Sequence, residues 1–288
     1  MADGGLHYWI EAQRRRPPAP TRWWYAAFTA GIATLLFSLH LGRVFPAEAA
    51  GIHPGYGAPV IAFEFARSEA DLFAVFGTSA DPLQVARLAA MRAGNEQDYL
   101  FMLLYAGFLA SGCFALWREL RLRWLLAATL LPVFAALCDA YENWLLFDIQ
   151  AAFTLGDYSP AMASLPWPVA AKFLALTLTN AALGYAMVQM GRWWQFAGTL
   201  ILIPCLATIM ALIAPAAFGW TLTAAIGAGW FALLATAAIG ACHALLRREP
   251  LVNFDPDTPR RRAADRNDPE ISLAPGKRRH FGRRKEDS

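Results

Sequence analysis

Apolar residues in this chain gather into six runs, at roughly 23–44, 98–117, 124–148, 168–190, 194–214 and 220–246. An α-helix rises 1.5 Å per residue, so about 20 apolar residues cross the ~30 Å hydrocarbon layer of a bilayer. The pattern predicts an all-α integral membrane protein. Its core is a bundle of six transmembrane helices over residues 23–248. Residues 45–97 form a small extracytoplasmic helical cap. The stretches 1–22 and 249–288 are disordered cytoplasmic tails.

Polar and breaker residues fill in the connections. Trp23, Trp24 and Tyr25 open the first run and read as an interfacial aromatic anchor. His40 and Arg43 stand near its other end, His40 as a helix-packing group and Arg43 as a snorkelling side chain. The first run is too long for the core of a cleavable signal, and its Arg-rich flank reads as a signal anchor. Residues 51–59 are too rich in Gly and Pro for a helix. Val60 to Ala66 is a short apolar run interrupted by Glu64. Ser68-Glu69-Ala70-Asp71 has the form of a helix-start capping box. With Leu72, Phe73, Val75 and Phe76 it predicts an amphipathic helix on the outer membrane surface. Asp81-Pro82 opens a second cap helix, and Asn95-Glu96-Gln97-Asp98 leads into the second span. There Asp98 reads equally as a simple helix N-cap. Residues 149–167 form an outer loop. Pro132 and Pro204 predict kinks.

Charge sets the orientation. Arg14, Arg15, Arg16, Arg22, Arg118, Arg121, Arg123, Arg192, Arg247 and Arg248 all fall on one side of a six-span chain. By the positive-inside rule both termini are cytoplasmic, in a multi-pass protein of the cell inner (plasma) membrane. The net charge of +3 averages a basic inside with an acid-rich segment 45–97, so it is no sign of nucleic acid. The four cysteines sit in apolar runs and read as small buried hydrophobes.

The candidate chemistry lies in Leu137-Cys138-Asp139-Ala140-Tyr141-Glu142-Asn143-Trp144. Asp139, Glu142 and Asn143 are spaced i, i+3, i+4 and share one helical face. An acid at that depth costs roughly 2.5–3.5 kcal/mol on insertion scales, so the face must meet a bundle interior, a wet cavity or a cation. Asp98 and Tyr105 share a face of the second span, and Lys172 lies about one turn inside the fourth. Arg67 and Arg92 of the cap can reach the same level.

Three uses follow from these residue types. Two close carboxylates can share a proton and act as an acid or a proton carrier, which makes Asp139, Glu142 and Asp98 the catalytic candidates. Asn143, Tyr105, Lys172, Arg67 and Arg92 are the candidate ligand-binding groups. The acids with Asn143 can instead coordinate a hard cation. With Lys172 or an Arg they can form a structural ion-pair network. Glu142→Gln separates the cases. Without a cation beside it, the change leaves folding intact. If Lys172 pairs with Glu142, it strands an ammonium and costs several kcal/mol.

The five histidines lack ligand spacing, and hydrolase, zinc-protease, phosphate-loop and dinucleotide motifs are absent from the sequence. No metal site and no cofactor is expected. The leading expectation is a membrane protein that binds or translocates a lipid or small amphiphile through a polar pocket in its outer half. An intramembrane enzyme acting on a lipid head group is the alternative, and a scaffold or assembly subunit is a third. Expected partners are membrane lipids, a small-molecule or lipid ligand, and a protein meeting the basic C-terminal tail (Arg260-Arg261-Arg262, Lys277-Arg278-Arg279).

Overall fold

The computed structural model describes residues 21–157 and 159–247. The expectations for the two tails lie outside the described residues.

Helices make up the described structure, with no strand among the described residues. In chain order they are α1 (Trp23–Val44), α2 (Pro59–Glu64), α3 (Glu69–Phe76), α4 (Gln84–Leu120), α5 (Arg123–Ala128), α6 (Leu130–Leu155), α7 (Ala161–Ser164), α8 (Pro166–Val188), α9 (Arg192–Ile213), α10 (Pro215–Phe218) and α11 (Trp220–Cys242). Six helical stretches are long and apolar enough to cross a membrane. They correspond to the six runs of the sequence, and the chain is a multi-pass, all-α membrane protein. The six helices close into a ring in chain order: α1 packs on α4, α4 on α6, α6 on α8, α8 on α9, α9 on α11, and α11 back on α1. Short connections join α8 to α9 and α9 to α11, while the cap carries the chain from α1 to α4.

Two boundaries differ from the sequence pattern. The second cap helix and the second span are one helix, α4, of 37 residues. At 1.5 Å per residue it is about 55 Å long, so its first turns stand clear of a ~30 Å hydrocarbon layer. Asn95, Glu96, Gln97 and Asp98 are tolerated inside a helix, and no proline follows Pro82 to break it. Asp98 is therefore mid-helix and caps nothing. Likewise α6 runs on to Leu155, into the stretch read as loop, and stops at Gly156, whose φ of 76° suits a residue without Cβ. The expected kink at Pro132 takes the form of a break between α5 and α6 at Thr129. Pro132 lacks an N–H and its ring crowds the carbonyl four residues back, at Ala128.

The cap is drawn into the bundle. In α2, Ile61, Ala62, Phe63 and Glu64 are buried, so this short helix plugs the mouth of the ring. The capping box of α3 forms: Asp71 N donates to Ser68 Oγ, and Ser68 N donates to Asp71 Oδ2. The apolar face of α3, expected to meet the outer membrane surface, packs on protein. Leu72, Val75 and Phe76 are buried, and the Phe76 ring packs 5.0 Å from Phe63 and 5.5 Å from Phe153 of α6. Arg87 of α4 ties the cap down through Asp81 (2.6 Å) and the Phe76 carbonyl (3.1 Å). That guanidinium holds the Asp81 carboxyl below the usual carboxylate range. His40 of α1 meets Gln97 of α4 at 2.7 Å, as a helix-packing histidine does.

At the end opposite the cap, Trp24 corrects the anchor expectation. Only Trp23 is exposed, whereas Trp24 is fully buried and donates from Nε1 to Glu119 Oε1 at 2.6 Å. A Cβ on Gly240 would sit 2.6 Å from the Trp24 ring, so α1 and α11 touch closely there. Of the cysteines, Cys113 and Cys138 are buried, while Cys242 is exposed.

Candidate functional site

Lys172 is the centre of the polar cluster. Its apolar helix, α8, places the side chain inside the ring, 5% exposed. The ammonium Nζ lies 2.8 Å from Glu142 Oε2, 3.0 Å from Asp139 Oδ1 and 3.3 Å from Glu64 Oε1. Three elements thus converge on one cation: α6 supplies two acids one turn apart, and the plug α2 supplies the third from its last residue. Tyr105 of α4 donates to the other oxygen of Asp139 at 2.9 Å.

A second, smaller group adjoins the first. Asn143 Nδ2 donates to Asp98 Oδ2 at 3.0 Å and to the Asn95 carbonyl at 3.2 Å. This binds the shared face of α6 to the face of α4 that carries Asn95, Asp98 and Tyr105, spaced by three and seven residues. Asp98 makes no ion pair among the described residues.

The two groups border a cavity of about 340 Å³ at the cap end of the ring. That volume falls in the roughly 300–1,000 Å³ range of small-molecule sites. Glu64, Asp98, Asp139, Lys172, Asn95, Asn143 and Tyr105 form its polar walls. Phe45, Phe101, Leu176, Ile226 and Trp230 are among its apolar ones. Glu142 is not on the wall. It is 0% exposed and stands behind Lys172, where its geometry is that of a group holding the ammonium in place.

The cluster therefore brings together Asp139, Glu142, Asn143, Asp98, Tyr105 and Lys172 from the sequence expectation. It leaves out the two arginines. Arg92 is exposed, pairs with Glu96 one turn on at 3.0 Å and lies over the Phe147 ring, so it does not reach the cavity. Arg67 spends its guanidinium on the Glu64 and Ala66 carbonyls, at 3.1 and 2.6 Å, and gives no hydrogen bond to a cavity carboxylate.

Glu64 is the residue that sequence reasoning passed over. Its signal was the one used for Asp139: a lone acid inside an apolar run. The run, Val60 to Ala66, is too short to span a bilayer, so the sequence places it in the cap and not among the spans. The hard cation considered for this face is replaced by an internal one, since the Lys172 ammonium occupies the point where the acids converge. Among the described residues, no group of three or more His, Cys, Asp or Glu side chains is arranged to hold a metal ion.

Chemically, the arrangement can do two things. It fixes the register of α2, α6 and α8 through one shared cation. It also presents carboxylate, amide and phenol groups to a space large enough for a ligand. Compared with protein-family models, curated proteins and solved structures, the chain finds no match.

Proposed function

We propose that this chain binds or moves a lipid or small amphiphile, whose head group enters the cavity at the cap end. The observation that carries this reading is the cavity itself, about 340 Å³, lined by charged and amide groups together with aromatic and aliphatic ones. An amphiphile needs both kinds of lining. A site within a membrane bundle also meets such ligands in the surrounding lipid.

The same reading puts the protein in the inner (plasma) membrane with the cap outside and both termini cytoplasmic. It is supported by the connections at the end away from the cap, which carry Arg118, Arg121, Arg123 and Arg192. Glu48 is exposed on the cap. A membrane-impermeant maleimide is expected to label Glu48→Cys in intact cells. Labelling only after the membrane is opened would reverse the orientation.

Native mass spectrometry of protein released into a mild neutral detergent tests the ligand. Wild type is expected to retain a non-detergent amphiphile. Ser38→Trp is expected to lose it with its melting temperature unchanged, because Ser38 is exposed on α1 yet borders the cavity. Wild type that carries no amphiphile under any mild release would sink the reading.

One observation favours an enzyme as the second reading. Asp98 is the one cavity acid without an ion pair, so it is free to accept or donate a proton at a bound head group. Turnover that disappears in Asp98→Asn while the amphiphile is still retained would choose this reading.

A further inference from the structure

Carboxyls outnumber cations around the cavity. Glu64, Asp98, Asp139 and Glu142 face a single ammonium, and that ammonium is already shared by three of them. Glu64 gives Lys172 only one oxygen. Its Oε2 has no hydrogen-bond partner, although the residue is 8% exposed and borders the cavity. Asp98 makes no ion pair among the described residues, and its hydrogen bond comes from the neutral Asn143. An anionic head group brings no counter-charge to these carboxyls, and a neutral one can donate a hydrogen bond to them but brings no positive charge. Buried acceptors left unmade are costly, so the site is complementary to a donor that carries positive charge.

Aromatic residues beside the acids fit the same ligand. Phe101, Tyr105 and Trp230 all border the cavity. Their ring centroids stand 5.5 Å (Phe101–Tyr105), 5.5 Å (Tyr105–Trp230) and 5.9 Å (Phe101–Trp230) apart. A cation within about 6 Å of an aromatic centroid is attracted to the ring face. Carboxyls and three rings bordering one cavity make a cradle for an ammonium.

An exit for an apolar chain adjoins this cradle. A narrower hollow of about 80 Å³ shares Ser38, Gly227 and Trp230 with the main cavity. Its other walls include Leu35, Phe108 and Leu234. Toward the far end α1 and α11 touch, with no room for a Cβ at Gly31 or Gly240. At the cavity's level the opposite holds. A Cβ on Gly42 of α1 or Gly227 of α11 would meet nothing within 4 Å. The two helices thus leave a gap beside the charged site and close it below.

We propose that this cavity takes an amine-bearing amphiphile, with its ammonium between Asp98, Glu64 and the aromatic wall and its apolar chain leaving between α1 and α11 past Gly42 and Gly227. Asn95 Nδ2 and Trp230 Nε1, both buried without a hydrogen-bond partner, are donors for an oxygen next to the amine. The inference rests on the amphiphile reading above and adds the sign of the head group and the route of entry.

The test uses full-length protein in a neutral detergent and three ten-carbon probes: decylammonium, decanol and decyl sulfate. Affinity is measured below the micelle concentration of each probe. The cationic probe is expected to bind about tenfold more tightly than the neutral one, and the anionic probe more weakly than both. Asp98→Asn should remove most of that preference while decanol binding stays the same. Trp230→Leu leaves every ion pair intact and should lower the cationic affinity severalfold. Gly227→Leu should block all three probes without lowering the melting temperature, because it fills open space and replaces glycine in a helix. Equal binding of the cationic and neutral probes overturns the charge assignment and leaves the amphiphile reading standing. Preference for decyl sulfate overturns it with opposite sign. Failure of wild type to bind any probe overturns both readings. Unimpaired binding by Gly227→Leu overturns the route.

Discussion

Lys172→Met is expected to lower the melting temperature of the detergent-purified protein more than any single replacement of an acid around it. Methionine keeps most of the apolar stem, so the packing of α8 changes little. The change removes the one cation between Asp139, Glu142 and Glu64 and leaves three buried carboxylates facing each other within reach of a single former partner. Breaking a buried ion pair by removing one partner costs about 3–5 kcal/mol, because the charge left behind has lost its water and gained nothing. Here one substitution does this to three groups, and the low end of that range is the floor. Glu142→Gln behaves differently from either case foreseen in the sequence. It neither leaves the lysine untouched nor strands it, since Asp139 and Glu64 still hold the ammonium. Its cost is that of one charged hydrogen bond, about 1.5–3 kcal/mol. Melting curves of Lys172→Met, Glu142→Gln and Asp139→Asn in one detergent decide the matter. If Lys172→Met melts like wild type, the cluster contributes no net stability. If Glu142→Gln is the most damaging of the three, the ammonium is not shared as the distances indicate.

The second large effect belongs to Trp24, far from the cavity. Trp24→Ala is expected to cost about 3–5 kcal/mol, the range for removing a large buried aromatic. The ring fills the space where α1, α4 and α11 converge. It lies against Gly240, and its N–H is bonded to the buried Glu119. Glycine at 240 cannot grow to fill the hole that alanine would leave. Trp24→Phe separates packing from polarity: it keeps most of the volume and removes one donor from Glu119, for about 1–3 kcal/mol. Trp23→Ala, on the exposed neighbour, should change the melting temperature little. The readout is the melting temperature together with the monodisperse fraction on size exclusion. A wild-type melting temperature for Trp24→Ala would restore the interfacial-anchor expectation and remove Trp24 from the core.

What the sequence determined by itself was local. The six spans are legible because each is a contiguous run whose length is set by bilayer thickness, whatever it packs against. The capping box at Ser68 and Asp71 is legible for the same reason, since both partners lie within one turn. The shared face of Asp139, Glu142 and Asn143 follows from the 3.6-residue repeat. Tertiary structure decided the rest. It chose Lys172 over the arginines as the partner of those acids, because Arg92 finds Glu96 one turn away and Arg67 turns to backbone carbonyls. It brought Glu64 onto the same ammonium although 78 positions separate it from Glu142 in the chain. No periodicity reports a contact at that distance. It drew Trp24 inward while leaving Trp23 outside, a choice between adjacent residues that hydropathy cannot make. It continued α4 through Asn95 to Asp98, because the packed walls of the ring outweigh the weak helix preference of Asn95 and Asp98. The cavity is likewise tertiary. It exists because α1 and α11 meet at Gly240 and stand apart at Gly227, and two glycines thirteen residues apart on one helix look the same in a sequence. The neighbouring helix makes one a contact and the other an opening.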